Sequence, residues 1–152
     1  MTRSNTLKGR DGVLLTGRVL LALLFLIFGI QKLFDFSGTV QYMAHVGAPL
    51  PTMATLIAIV MEAFVSAALM LGLATRPLAL LMALYTFGTA IIGHHFWTMT
   101  GMTRFENEIN FYKNISIIGG LLLLNVTGAG RYAVDAWWHG RRDHSTGIER
   151  RV

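Results

Sequence analysis

The stretch VLLTGRVLLALLFLIFGIQKLF, residues 13–34, decides the fold. After Arg18 it is almost unbroken Leu, Ile, Val and Phe. A run of ~20 such residues, rising ~1.5 Å each, crosses a bilayer core of ~30 Å. The stretch therefore predicts a membrane-spanning helix. A cleaved signal peptide is the competing reading, because basic residues precede the run. The run is too long for one, and Gly29-Ile30-Gln31-Lys32-Leu33 offers no small-x-small cleavage site.

Outward from this segment, the composition agrees. Apolar residues make up 53% of the 152-residue chain and charged residues 14%. A globular domain carries roughly a quarter charged residues, so too little polar surface is left to wrap a soluble core. The length suits one compact unit or a homo-oligomer of it. There is no cysteine, which excludes disulfides, thiolate metal sites and a CxxC redox pair. Any redox chemistry needs a cofactor from outside the chain. The net charge of +5 is concentrated at the two ends of the sequence, in Arg3, Lys8 and Arg10 and in Arg131, Arg141, Arg142, Arg150 and Arg151. That pattern reads as membrane topology, and no basic patch with stacking aromatics argues for a nucleic acid.

Three further spans are predicted. Asp35 to Pro51, broken by Gly38, Gly47 and Pro49, reads as a loop with a short interfacial helix through Val40, Tyr42 and Met43. The second span covers residues 52–73, with Pro51 in its first turn and Gly72 closing it. A tight turn to Pro77 leads into the third span, 77–96, and a second loop over 97–108 leads into the fourth, 110–126. The expected organisation is an N-terminal tail 1–12, a transmembrane domain 13–126 and a basic C-terminal tail 127–152. The fold class is all-α, a polytopic four-transmembrane-helix bundle. Arginines of the two tails and Arg76 fall on one side, Asp35, Glu106 and Glu108 on the other, which predicts cytoplasmic N- and C-termini. Small residues four apart, Ala63/Ala67, Ala68/Gly72, Thr89/Gly93 and Ser116/Gly120, favour close helix approach in lipid. Tyr132, Trp137 and Trp138 read as an interfacial belt.

Ionisable residues inside the spans are the informative ones, because a charge at mid-membrane costs ~2.5–3.5 kcal/mol even on the lenient insertion scale. Glu62 lies about ten residues into the second span, ~15 Å deep, and its side chain is too short to snorkel. It is either protonated or paired with a donor from another helix. Lys113 and Asn114 sit one turn into the fourth span, with Asn110 one turn above. Gln31 and Lys32 close the first span, and His94 and His95 close the third. The two histidines point ~100° apart, so one faces away from the interior. Four helices thus place polar groups in the outer half of the bundle. The local alternatives are a Lys32–Asp35 pair, and Lys113 and Arg18 snorkelling to the two surfaces. The histidines of the membrane region both lie on the third span, so they do not form a bis-imidazole haem site, and no metal site is expected.

In order along the chain, these residues resemble the DoxX family of small bacterial and archaeal membrane proteins. The resemblance rests on Gly17-Arg18, Gly29-x-x-Lys32, Glu62, Gly72-x-x-Thr75-Arg76-Pro77, His95-Phe96-Trp97, Asn110 to Asn114, Gly119-Gly120 and Gly128 to Asp135. The glycine pair that members often carry after the acid is Ser66-Ala67 here. The resemblance implies a four-helix bundle in the bacterial inner membrane. It also implies, from some relatives, a subunit of a quinone-reducing oxidoreductase with a soluble or membrane partner. The expected site has Glu62 exchanging a proton, with His95, Lys113, Asn114, Asn110, Lys32 and Gln31 around a quinone; no cofactor is intrinsic. The alternatives are a non-catalytic anchor or assembly factor for a soluble partner, and a small-solute or proton transporter.

Overall fold

Lipid offers the backbone no hydrogen bonds, so each apolar run must satisfy its own amides, and a helix is the local solution. The computed structural model describes residues 2–137, with side chains from residue 9 onward. Its described residues form helices and turns without strands, and four helices are long and apolar enough to span a membrane. The all-α, four-span expectation is met.

The first span belongs to a helix that runs Thr2–Phe34. Residues 2–12 are therefore its opening turns and not a separate tail; 33 residues make it about 50 Å long. The hydrophobic run marks only the lipid-facing part and therefore understates the helix. A short helix, Phe36–His45, follows at once, capped by Asp35, whose Oδ1 accepts from Gly38 N at 3.0 Å. The second span is Pro51–Leu71, the third helix Thr75–Gly93, and a 3-10 turn at Phe96–Thr98 leads to the fourth helix, Gly101–Thr127. The fourth helix starts well before the expected Asn110, so Arg104, Glu106 and Glu108 lie on it and not in a loop. These charged residues favour helix as well as solvent, and hydropathy sees only the latter.

Consecutive spans pack against each other, most extensively the first against the second and the third against the fourth. The core between them holds Ala22, Phe25, Met61, Leu69, Ala79, Met82, Leu121 and Leu124. Gly120 closes the ring by packing on Leu21 of the first span. The buried hydroxyls of Thr55 and Thr86 bond to Pro51 O and Met82 O one turn back, at 2.9 and 2.7 Å, so they need no partner from another helix. The end of the bundle that carries the Gly72 turn and the exit of the fourth helix is called the termini end below. The other is the loop end.

The described part of the expected C-terminal tail is not free. Gly128 and Gly130, both at positive φ (75° and 73°), turn the chain into a hook against the termini end. Asp135 N donates to Gly72 O at 3.3 Å and Arg131 N to Asp11 Oδ1 at 3.4 Å. Tyr132 and Trp137 are exposed there; Trp138 and residues 139–152 lie outside the described residues.

Candidate functional site

Val60–Val65 is wound as a π-helix, and Glu62 lies within it. A π turn widens the helix and leaves carbonyls without their usual partners, and such turns concentrate at functional sites. Here Ser66, fully buried, donates to the Glu62 and Ala63 carbonyls. The hydroxyl at this position thus finishes the π turn.

The first span meets this turn at Gly29. A Cβ at residue 29 would come within 2.4 Å of Ala63 N and Glu62 C, so the two backbones touch. One turn further, Lys32 Nζ reaches Glu62 Oε2 at 2.6 Å, and from the third span Tyr85 Oη donates to Oε1 at 2.6 Å. Glu62 is 8% exposed. Its charge is met by an ammonium and a phenol, one on each oxygen, which is the compensation a buried carboxylate needs. The Lys32 ammonium also lies 5.6 Å from the Phe28 ring centre. The Lys32–Asp35 pair expected from local spacing does not form; Asp35 is turned to cap the next helix. A surface pair three residues apart gains little, whereas Glu62 unpaired in lipid is costly, so the lysine goes to the acid.

The other candidates divide. Gln31 is exposed on the outside of the first span. His95 bonds locally, Nδ1 to Ile92 O at 2.8 Å, and its ring stands edge-on to Trp97. His94 is the histidine that reaches another helix, with Nδ1 3.0 Å from Asn107 Oδ1. Asn110 and Asn114 are half-buried on the fourth helix and Lys113 is exposed. None of these three bonds to Glu62. Lys113 instead lines an open groove of about 750 Å³ along one face of the fourth helix, with Phe105, Glu108, Tyr112, Ser116 and Ile117. Ile117 and Tyr85 pack on the same core, so the groove and the Glu62 site flank one hydrophobic layer. Tyr85 carried no signal in the sequence, since an uncharged aromatic within a span reads as one more apolar packing residue. Among the described residues, no three His, Cys, Asp or Glu side chains gather as a metal centre requires.

Arg18 also departs from its expected place. It does not snorkel: at 2% exposed it is buried, and its guanidinium donates to Ala129 O (2.7 Å) and Tyr132 O (2.8 Å) of the hook, with Asp135 supplying opposite charge. Gly72, at φ 76°, leaves the room: a Cβ there would meet Arg18 Nη1 at 2.7 Å and Ala133 Cβ at 2.6 Å. The termini half of the bundle therefore contains its own charged node.

Fold and site together define a small four-helix membrane protein with a lysine, a glutamate and a tyrosine joined inside the bundle. The chain belongs to the DoxX family, whose model matches residues 13–95. It is 52% identical to the inner membrane protein YphA of Escherichia coli, over 83% of this chain and 90% of that protein. It is 35% identical to the inner membrane protein YqjF of the same organism, over 84% and 93%. The yeast ER-derived vesicles protein ERV29 is 26% identical over 84% of this chain, which spans 34% of that longer protein. No solved structure matches. With four helices of spanning length and these relatives, the chain is an inner-membrane protein.

Proposed function

We propose that the chain is a redox-linked membrane subunit that holds a quinone in the groove beside Lys113 and manages protons through Glu62. The observation that carries this is the Lys32–Glu62–Tyr85 cluster inside the bundle. Intramembrane acids mark proton, ion or ligand paths by default. A carboxylate between an ammonium and a phenol exchanges protons with little movement of heavy atoms, because moving one proton from Lys32 to Glu62 neutralises both. The groove fits the ligand class. It is mostly apolar, within the ~300–1,000 Å³ usual for small-ligand sites, and carries Lys113 and Ser116 as donors for ring carbonyls. A quinone supplies electron acceptance; an oxidoreductase partner, soluble or membrane-bound, supplies the electrons.

The same reading puts the termini end in the cytoplasm, because Arg18, Arg76 and Arg131 gather there while Asp35, Glu106 and Glu108 belong to the loop end. The test is the affinity of a quinone analogue for the purified protein. Glu62→Gln or Lys113→Ala should weaken it at least tenfold, and wild-type affinity in both variants would sink the proposal. One observation favours a non-catalytic anchor instead: both oxygens of Glu62 are already bonded within the protein. If Glu62→Gln leaves cellular activity intact while removal of residues 138–152 abolishes it, the anchor reading holds.

A further inference from the structure

The turn between the second and third spans and the hook after the fourth helix enclose a groove of about 420 Å³ at the termini end. Thr75, Arg76 and Pro77 form one wall, and Gly128, Ala129 and Asp135 the other. Nothing in the quinone reading uses it.

Its chemistry points to an anion. The helix Thr75–Gly93 begins in this wall, so the amides of Thr75 and Arg76 have no acceptor within the helix, and 19 residues of aligned peptide dipoles stand behind them. A helix N-terminus alone is not a site, but Thr75 adds an independent sign. The residue is 3% exposed, and its hydroxyl is buried with no hydrogen-bond partner among the described residues. A buried hydroxyl left unpaired is destabilising, so an acceptor brought against this wall would gain by pairing with it. Arg76 is exposed and its guanidinium lies along Gly128, where a Cβ would sit 3.3 Å from Nε. Glycine at 128 thus keeps the arginine flat against the groove. Among the lining residues the carboxylate is that of Asp135, and the charge of the Arg18 guanidinium offsets it.

We propose that this groove binds a phosphate group, held by the Thr75 hydroxyl, the first amides of the third helix and the Arg76 guanidinium. Helix N-termini with an adjacent arginine are matched to phosphate by charge and by geometry. The exposed Tyr132 and Trp137 beside the hook place the groove at headgroup level, where a phospholipid carries that phosphate. A free phosphate compound carries the same group.

The experiment uses the full chain in an uncharged detergent. Dihexanoyl-phosphatidylglycerol and inorganic phosphate are titrated in separately while ³¹P line broadening is followed. Three variants accompany the wild type: Arg76→Gln, Thr75→Val and, from the loop end, Arg104→Gln. Saturable binding that weakens at least tenfold in Arg76→Gln and several-fold in Thr75→Val, but not in Arg104→Gln, is the expected result. Binding of the lipid alone identifies a headgroup site, and binding of both or of inorganic phosphate alone identifies a free-phosphate site. Thr75→Val should also leave the ligand-free melting temperature unchanged or raised, since it removes an unpaired hydroxyl. Non-saturating titrations, or equal losses in Arg76→Gln and Arg104→Gln, overturn the proposal.

Discussion

Replacing Gly29 by alanine should disconnect the Glu62 site without touching any charged residue. The added methyl would lie 2.4 Å from Ala63 N and Glu62 C and 2.8 Å from Ala63 Cα. These are backbone atoms of a π turn and cannot rotate away. Ordinary contact begins near 3.4 Å, so the first two spans must part by about 1 Å. Lys32 Nζ, one turn along, now 2.6 Å from Glu62 Oε2, would be carried beyond the ~2.9 Å reach of a charge-assisted hydrogen bond. Overpacking of this kind costs about 1–3 kcal/mol, and a weakened buried ion pair adds to it. A total near 3 kcal/mol is expected, read as a lowered unfolding midpoint in a detergent-denaturant titration. Gly88 of the third span is the control. A Cβ there meets nothing within 4 Å, so Gly88→Ala should be neutral or stabilising by up to ~1 kcal/mol, the helix propensity difference. If Gly29→Ala and Gly88→Ala behave alike, the claimed backbone contact between the first two spans is wrong.

Other expectations follow from the same contacts. Lys32→Met alone should destabilise by about 3 kcal/mol because it strands Glu62, while Lys32→Met with Glu62→Gln should recover most of the loss, a coupling that a double-mutant cycle measures directly. Tyr85→Phe removes one donor to a charged acceptor and should cost about 1.5–3 kcal/mol in the same assay. Arg18→Met frees the hook, so amide exchange at Ala129 to Tyr132 should rise sharply while the spans stay protected; unchanged exchange would show that the guanidinium does not fasten the segment. Because the chain has no cysteine, single introduced thiols report topology. In intact cells an impermeant maleimide should label Thr100→Cys and spare Gly9→Cys, and the reverse pattern would invert the assigned orientation.

Much of the architecture was legible because membrane insertion is a one-dimensional problem. Hydropathy along the chain located four spans, Pro51 and Gly72 marked ends of the second, and the depth of Glu62 followed from counting residues. Hydropathy failed where a helix leaves the lipid. Residues 2–12 and Gly101–Glu108 are helical but polar, so they read as tail and loop.

Partners were another matter. Lys32 had Asp35 three residues away in sequence and Glu62 thirty away, and local spacing favoured the former; only the contact of Gly29 with the π turn brings the latter within reach. Arg18 looked like a snorkelling residue because the carbonyls that receive it belong to a segment more than a hundred residues later. Tyr85 joins the acid only because the third span packs against the second with that face inward. The sequence by itself determined which residues enter the membrane, since burial in lipid depends on each side chain's own transfer energy. The tertiary structure decided which of the buried charges meet, since satisfying a charge away from water depends on a partner whose position is set by helix packing and not by distance along the chain.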